Sequence, residues 1–365
     1  MKIVIFGLAI TSSWGNGHAT LWRGLCKALS RAGHDVQFFE RDVPYYAATR
    51  DLYEWPYGSI VIYDKWDDVT VHAARVIREA DAVVITSYCP DALSAAELVL
   101  DKARGIRVFY DLDTPVTIAR LDAGEKVEYI GARGLADFDL VLSFTGGGAL
   151  ACLQRRLGAR NVHPLYGLVD PDVHRPSQPE QQYAAALSYF GTYAADRQPA
   201  LERLFVASAL ERPQSRFLIA GAQYPQEFPW SPNIYFVRHL PPAEHAAFFS
   251  SSRLTLNLTR KSMKQMGWCP SGRLFEAAAC GTAVLSDYWD GLEEFFQPGT
   301  ELLIASSGDD VLHALDLDDE EIARVAKAGR ERVLDQHTSV HRARELCALL
   351  ERTRTPNAAP ETMEA

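Results

Sequence analysis

One short segment, Ser271 to Glu276, combines a serine, a glycine, an arginine and a glutamate that can bind or position a ligand. Ser271 is a favourable cap for a helix, and Gly272 would let a ligand approach the backbone closely. A helix N-terminus binds anions through its free N–H groups, and Arg273 adds a permanent positive charge that can hold phosphate oxygens. Glu276 follows one turn later on the same face and could accept hydrogen bonds from ribose hydroxyls. The segment predicts a phosphate- and ribose-binding helix, with a capped helix carrying an internal Arg–Glu pair as the alternative.

The loop from Trp14 to His18 lies between the first apolar stretch and the first helical stretch. Gly15 and Gly17, separated only by Asn16, suit a tight turn and close backbone approach, although the pattern is not the glycine fingerprint of dinucleotide sites. The positive end of the helix dipole would favour the neutral form of His18, which could act as a base or donate a hydrogen bond. These residues are predicted to line a cleft. A histidine that only caps its helix is the alternative.

Two acidic residues, Asp111 and Asp113, stand at the end of the predicted strand 107–111. Side chains two residues apart point the same way if the backbone is extended. The pair could bind hydroxyl groups, act as a base or ligate a metal ion. The alternative is that Asp113 only forms a turn before Pro115.

Two further segments follow predicted strands and precede predicted helices. One is Thr145-Gly146-Gly147, whose backbone amides could bind a hydroxyl or a phosphate, or form a plain tight turn. The other is Gly191-Thr192-Tyr193, with Arg197 shortly after it. Arg197 is the second candidate for a phosphate ligand, and a solvated surface arginine is its alternative.

Composition narrows the classes of protein. The chain has 365 residues, of which 47% are hydrophobic, and this composition indicates a globular protein. Its formal net charge of −10 argues against a partner made of nucleic acid. Its six cysteines are scattered without metal-ligand spacing, and no nucleophile elbow, phosphate loop or zinc-protease motif occurs. No apolar stretch reaches membrane-spanning length, and Lys2 to Gly7 resembles a first strand rather than a signal peptide. A cytoplasmic protein without a transmembrane segment is expected.

Short apolar strands alternate with helical stretches along most of the chain, which predicts α/β architecture with parallel sheets covered on both faces. The rhythm restarts after a proline-rich stretch, Pro164 to Pro179. We therefore predict two doubly wound, Rossmann-like domains, 1–172 and 180–335, that face each other across a cleft. A C-terminal helix at 336–352 and a disordered tail at 353–365 complete the prediction. Ligands bind outside the carboxyl ends of the strands in such sheets.

Two stretches resemble the GT-B glycosyltransferases. Gly17-His18 and the later Arg31 to Val36 resemble the opening of these enzymes, where a glycine-rich turn precedes a helix ending in RGHxV. The stretch 272–284 resembles their donor motif, EAxACGxPV. With Asn257-Leu258 before it and 291–301 after it, the sequence is similar to the CgeB-like (spore maturation protein-like) group of the family-4-like glycosyltransferases.

The resemblance implies that the second domain binds a nucleotide-sugar donor. Glu276 matches the second glutamate of the motif ExxxxxxxE, which holds the ribose, whereas Trp268 stands where the first glutamate is expected. The resemblance also implies that Arg197 is the basic residue after the first strand of that domain. His239 and Leu240 are implied to lie near the nucleobase.

The expected activity is therefore transfer of a hexose from a nucleotide diphosphate sugar to a hydroxyl or similar group on a small-molecule, glycan or protein acceptor. Arg273 and Arg197 would stabilise the leaving diphosphate, while His18, Asp111 and Asp113 would handle the acceptor from the first domain. Trp14 to Gly17 and Thr145 to Gly147 would line the cleft, and no metal or other cofactor is expected. The alternatives are a sugar-nucleotide epimerase of GT-B shape and a non-catalytic nucleotide-sugar-binding protein.

Overall fold

The computed structural model describes residues 1–355, which form two parallel β-sheets covered by helices. Of the tail predicted as disordered, Thr353 and Arg354 belong to the last helix, and residues 356–365 lie outside the described range. No helix within residues 1–355 combines the length and the apolar character needed to cross a membrane.

The first sheet has seven strands in the order β3-β2-β1-β4-β5-β6-β7, and every pair is parallel. Its strands are β1 Lys2–Gly7, β2 Asp35–Arg41, β3 Ser59–Tyr63, β4 Ala82–Thr86, β5 Ile106–Asp111, β6 Leu140–Ser143 and β7 Val162–Pro164. The helices that connect them are α1 Gly17–Arg31, α2 Pro44–Ala47, α3 Trp66–Glu79, α4 Ala92–Lys102, α5 Thr114–Asp122 and α6 Gly148–Leu157.

The second sheet has six parallel strands in the order β10-β9-β8-β11-β12-β13. Its strands are β8 Ala185–Phe190, β9 Phe217–Ala220, β10 Ile234–Val237, β11 Ser252–Asn257, β12 Ala283–Ser286 and β13 Leu303–Ile304. The helices are α7 Gln198–Leu201, α8 Ala207–Glu211, α9 His245–Ser250, α10 Lys261–Met266, α11 Gly272–Ala279, α12 Gly308–Asp316 and α13 Asp319–Gln336, with a π-helical turn at Glu202–Val206 between α7 and α8.

Both sheets are doubly wound, as the alternation of strands and helices predicted. The central strands are buried on both faces, and every residue of β4 is buried. Strand order reverses between β1 and β4 in the first sheet and between β8 and β11 in the second. Each reversal opens a crevice at the carboxyl ends of the strands, and the two crevices face each other.

The last helix, α14 (Ser339–Arg354), returns to the first sheet and packs against α1 and β5. The segment that leads into the second sheet is tied to α1 as well. Lys27 Nζ lies 2.7 Å from the Asp170 carboxylate and 2.8 Å from the Asp172 carboxylate. These contacts join the connection between the domains to the first domain.

Some elements had no readable pattern in the sequence. The aromatic-rich stretch 45–63 is compatible by its composition with an irregular loop or an acceptor platform, and its last residues form the edge strand β3. Helix α5 begins at Thr114, where a turn before Pro115 was the alternative. Proline is tolerated in the first turn of a helix because its missing N–H would have no partner there.

Candidate functional site

The two crevices enclose a cavity of about 550 Å³ between the domains. The first domain contributes the β1–α1 loop, the start of α1 and Asp113. The second domain contributes residues after β8, β9, β10 and β11 together with the start of α11. The cavity thus lies at the carboxyl ends of the strands, where ligands bind in doubly wound sheets.

The N-terminus of α11 opens into this cavity. The Ser271 hydroxyl accepts a hydrogen bond from the backbone N–H of Arg273 at 3.3 Å, so Ser271 caps the helix as expected. A Cβ atom built on Gly272 would have only the Glu276 Oε1 nearby, at 3.9 Å. The space in front of the first helical turn is therefore open to a ligand.

Arg273 crosses the cavity wall toward the end of β8. Its Nη1 donates a hydrogen bond to the Phe190 carbonyl at 2.7 Å rather than pairing with Glu276. A Cβ atom on Gly191 would lie 3.0 Å from this Nη1, so glycine leaves room for the guanidinium. Within residues 1–355, Arg273 and Glu276 do not form an ion pair, so the alternative of an internal pair is wrong.

Arg197 is the second guanidinium in the cavity and is 8% exposed. Its Nη2 donates to the Thr192 carbonyl at 2.6 Å, and its Nε has no hydrogen-bond partner within residues 1–355. Burial lowers the pKa of Arg197, and the nearby charge of Arg273 adds to this effect. No carboxylate in the described part of the chain forms an ion pair with either arginine. Buried positive charge without a partner is costly, so this site is suited to an anion.

Glu276 faces the same cavity and is 7% exposed. Burial raises the pKa of its carboxyl group to about 7, although the charge of Arg273 partly offsets the effect. The closest basic atom to its carboxylate is His174 Nε2, at 3.9 Å from Oε1. The Glu276 carboxylate is therefore available to hydroxyl groups in the cavity.

His18 and Asp113 face the cavity from the first domain. Burial lowers the pKa of His18 to about 4, and its Nδ1 has no hydrogen-bond partner in residues 1–355. The neutral form was predicted from the helix dipole, but burial is the cause that the structure supports. Burial also raises the pKa of Asp113 to about 6, helped by the charge of Asp111 and opposed by Arg260 and Arg197. The Tyr88 hydroxyl donates to Asp113 at 3.3 Å.

Asp111 does not face the cavity, contrary to the prediction. It is fully buried within the first domain, where its Oδ1 accepts the Asp113 N–H at 3.1 Å and its Oδ2 has no partner among residues 1–355. The strand ends at Asp111, and Asp113 occupies the N-cap position of α5 with a ψ of 44°, so the backbone is not extended across the pair. The two carboxylates therefore do not face a shared ligand.

The loop Thr145-Gly146-Gly147 is filled by the second domain instead of lining the cavity. The Gly146 N–H donates to the Trp268 carbonyl at 2.9 Å, and the Thr145 hydroxyl donates to Cys269 Sγ at 3.1 Å. A Cβ atom on Gly147 would lie 2.4 Å from the Trp268 ring. These residues make an interdomain contact. The Gly146 amide donates to the protein's own backbone and is therefore not free for a ligand.

Trp268 is held from both sides. A Cβ atom on Gly291 would come within 2.5 Å of its ring from the second domain, as one on Gly147 would from the first. Its Nε1 donates to Glu294 at 2.6 Å, and its backbone φ is 44°. The residue at the position of the expected glutamate therefore serves in packing between the domains.

The other predicted residues divide between cavity and scaffold. Gly15, Asn16, Gly17, Gly191, Thr192, His239 and Leu240 line the cavity. Within this set Asn16 caps α1, because its Oδ1 accepts the His18 N–H at 3.1 Å. Trp14 lies outside the cavity wall and its ring contacts His239 across the domains, with ring centroids 3.8 Å apart and the ring planes 35° from parallel. Tyr193 also lies outside, where its hydroxyl bonds Gln198 and its ring packs against Tyr224.

Arg260 and His245 are among the cavity residues for which the sequence predicted no role. Arg260 follows β11 and its Nε donates to Asp196 at 3.2 Å. A basic residue just after a predicted central strand could have signalled it. His245 begins α9, and no local pattern around it indicates a ligand.

Comparison with known proteins agrees with this architecture. A family described as glycosyl transferase-like matches residues 197–348, which cover most of the second sheet and its helices. The fold is similar to a sucrose-phosphate synthase from Thermosynechococcus elongatus, with a TM-score of 0.70 and 15% identity over 98% of this chain and 100% of that one. It is also similar to HepE from Anabaena in complex with UDP and glucose, with a TM-score of 0.66 and 13% identity over 96% and 99% of the two chains.

A third solved structure is an alpha-glucosyltransferase in complex with UDP and a 13-mer DNA, with a TM-score of 0.68 and 12% identity over 96% of this chain and 99% of that one. At these identities the similarity establishes the fold. The chain has the GT-B fold of two facing Rossmann-like domains, and its second domain matches a glycosyl transferase-like family. No curated protein sequence matches the chain.

Proposed function

We propose that the protein is a hexosyltransferase that moves a sugar from a nucleotide diphosphate sugar to a hydroxyl or similar group on an acceptor. The observation that carries this proposal is the pair Arg197 and Arg273. Both guanidiniums face the cavity beside an open helix N-terminus, and neither forms an ion pair within residues 1–355. Two cations and free amide groups at one point suit a diphosphate.

The same groups would act on the transition state. Negative charge develops on the diphosphate as the glycosidic bond breaks, and preorganised cations and amides stabilise that charge in a site sheltered from water. Glu276 would accept hydrogen bonds from the ribose, while His239 and Leu240 would lie beside the base. The occurrence of UDP in the structures of HepE and the alpha-glucosyltransferase supports a nucleoside diphosphate as the leaving group.

The first domain would receive the acceptor. His18 is neutral and Asp113 has a pKa of about 6, so either group could accept a proton from a hydroxyl near neutral pH. We keep small-molecule, glycan and protein acceptors as candidates. The net charge of −10 argues against nucleic acid as the acceptor.

We further propose that transfer needs no metal or other cofactor, that the protein works in the cytoplasm, and that it belongs to the CgeB-like group. The two arginines would neutralise the diphosphate in place of a divalent cation. Incubation with EDTA should leave transfer at its starting rate. Loss of transfer that Mg²⁺ or Mn²⁺ restores would contradict metal independence.

A thermal-shift series with nucleoside diphosphates and their sugars tests donor binding. A ligand that binds only the folded state raises the melting temperature. At a concentration a hundred times its Kd it adds about 2.7 kcal/mol to the free energy of unfolding. UDP and UDP-glucose are the first probes, because of the UDP in the structural neighbours. Arg273→Ala should abolish the shift, whereas Arg212→Ala, which removes a surface arginine paired with Asp316, should preserve it.

Product analysis then separates transfer from its alternatives. Sugar appearing on an acceptor supports the proposal. A change in the donor sugar without an acceptor would indicate an epimerase. Donor binding with no turnover across an acceptor panel would indicate a binding protein.

A further inference from the structure

Three buried side chains, His174, His245 and Glu276, meet behind the donor cavity. They are 1%, 4% and 7% exposed, and one potential ligand atom from each lies within 4.8 Å of the other two. His174 lies in the connection between the domains, His245 begins α9, and Glu276 lies in α11. Because they come from three separate stretches of chain, no local spacing in the sequence reveals the cluster.

The separations in the cluster are close to those around a small metal ion. His174 Nε2 lies 3.2 Å from His245 Nδ1 and 3.9 Å from Glu276 Oε1. Zinc binds nitrogen and oxygen ligands at about 2.0–2.2 Å, which places two ligands of a tetrahedral ion about 3.3 Å apart. The two imidazoles already have this separation. The Glu276 carboxylate needs to approach His174 by roughly half an ångström, and it must also move toward His245, because the three ligand atoms now lie up to 4.8 Å apart.

The hydrogen bonds of His245 orient it as a ligand. Its Nε2 lies 3.3 Å from the Leu240 carbonyl, which can only accept, so Nε2 carries the proton and Nδ1 carries a lone pair. Histidines that bind metal characteristically donate their other ring N–H to a carbonyl or carboxylate. Burial lowers the pKa of His245 to about 3 and that of His174 to about 4, so both rings stay neutral.

One ring nitrogen of His174 makes no hydrogen bond within residues 1–355. Its Nε2 donates to His245 Nδ1, while its Nδ1 is buried and has no hydrogen-bond partner within residues 1–355. A metal ion at Nε2 binds the tautomer of His174 that carries its proton on Nδ1, so the Nε2 proton is transferred through solvent to Nδ1 and the ring stays neutral. The Glu276 carboxyl releases its own proton to solvent where it carries one.

We propose that His174, His245 and Glu276 form a binding site for a zinc-class metal ion, with an open coordination position toward the donor cavity. Two imidazoles and a carboxylate suit such ions, and three protein ligands with one open position are typical of accessible zinc sites. His245 and Glu276 line the cavity, which provides the route for the ion. Metal binding itself does not depend on the proposed transferase activity.

A second consequence does rest on the proposed function. An ion bound to Glu276 occupies the carboxylate that would hold the ribose. Zinc would therefore inhibit transfer in competition with the donor, while the transfer reaction itself uses no metal. By thermodynamic linkage the donor would weaken zinc binding by the same factor.

Direct metal titration tests the site. The full-length protein is stripped with a chelator, dialysed and titrated with Zn²⁺ against a chromogenic chelator. Wild type should bind one equivalent, and His174→Asn should weaken the affinity by more than about 100-fold, beyond the 10–100-fold that loss of an outer-shell partner costs. His313→Asn, a change at an exposed histidine of α12, is the matched control and should bind as wild type does. Equal affinity of wild type and His174→Asn would overturn the site.

Cobalt provides a test that needs no variant. Co²⁺ in a four-coordinate site absorbs visible light much more strongly than octahedral Co²⁺. Wild type with one equivalent of Co²⁺ should show the intense bands, and Zn²⁺ should remove them. Weak octahedral bands would overturn the site even if His174→Asn fails to fold.

Competition with UDP separates the two proposals. UDP should raise the apparent Kd for Zn²⁺, and Zn²⁺ should raise that for UDP. If Zn²⁺ binds and UDP binds without mutual effect, the open position does not face the ribose site. If metal-free protein binds no nucleoside diphosphate, the proposed function fails while the metal site stands.

Discussion

The helices α11, in the second domain, and α6, in the first, both begin with a glycine, Gly272 and Gly148. The N-terminus of each was predicted to bind a ligand, and their surroundings differ. At α11 the space before Gly272 is open, and two arginines without ion-pair partners in residues 1–355 flank it. At α6 the Trp268 ring fills the space beside Gly147. A helix N-terminus is therefore an anion site only where its amides face free volume.

The largest expected effect is at the open site. Arg273→Ala should lower kcat by about 10²–10³-fold, the loss seen when one donor that stabilises developing negative charge is removed. Steady-state kinetics measures it, with Arg212→Ala as the surface control. Near-normal turnover in Arg273→Ala would show that α11 and α6 do not differ in function.

Glu276, one turn into α11, sharpens the contrast through pH. Burial raises the pKa of its carboxyl group from 4.5 to about 7, so the folded state holds a proton that the unfolded state has released between these values. Stability from this group is present below about pH 4.5 and is lost as the pH rises through about 7. In the wild type this loss of unfolding free energy amounts to about 3 kcal/mol, at 1.36 kcal/mol per pKa unit. The variant Glu276→Gln has no carboxyl group there and should not show it.

Denaturant unfolding of both proteins at a series of pH values measures this effect as a difference. The difference excludes the opposite trend from the buried histidines, which both proteins share. A difference that stays constant from pH 4 to pH 8 would mean that the Glu276 carboxyl is not destabilised by burial.

At the filled site the expected effect is on stability. Gly147→Ala places a Cβ atom 2.4 Å from the Trp268 ring at a φ of 54° and should destabilise the protein by about 1–3 kcal/mol. Gly124→Ala is the control, because its φ of 72° is also left-handed but nothing lies within 4 Å of the added atom. Equal losses in the two variants would show that Trp268 does not fill the α6 site.

The smallest expected effect is at Gly272. Its Cβ atom would meet only Glu276 Oε1 at 3.9 Å, so Gly272→Ala should stabilise the ligand-free protein by about 0.4–1 kcal/mol. The same methyl group would project into the space for the diphosphate and weaken donor binding. Melting temperatures with and without UDP measure both effects. A gain in stability without loss of UDP binding would place the diphosphate elsewhere.

The sequence was sufficient for the architecture because strand and helix patterns are local. The alternation of apolar strands with helices predicted two doubly wound domains, and apolar stretches such as 82–86 and 283–286 form the strands β4 and β12. Edge strand β3 was not predicted, because its residues are mostly only partly buried and their alternation of apolar and polar residues is weak. Helix α5 was not predicted, because Pro115 was considered only as the residue after a possible turn at Asp113, although proline also fits a first helical turn.

The site was only partly predictable. Ser271, Gly272, Arg273 and Glu276 form one local motif, and all four line the cavity. Asp111 was placed wrongly because its direction depends on where the strand ends, which local spacing does not define.

Which groups can bind an anion follows from the amino-acid sequence, because a helix cap and a guanidinium carry their chemistry wherever they lie. Which of these groups meet open space depends on how the two domains pack. Trp268 closes the α6 site from the other domain, and His174 meets His245 and Glu276 across three separate stretches of chain. The physical reason is that free volume, burial and charge compensation depend on neighbours distant in the chain, and these neighbours decide whether a group binds a ligand or packs the scaffold.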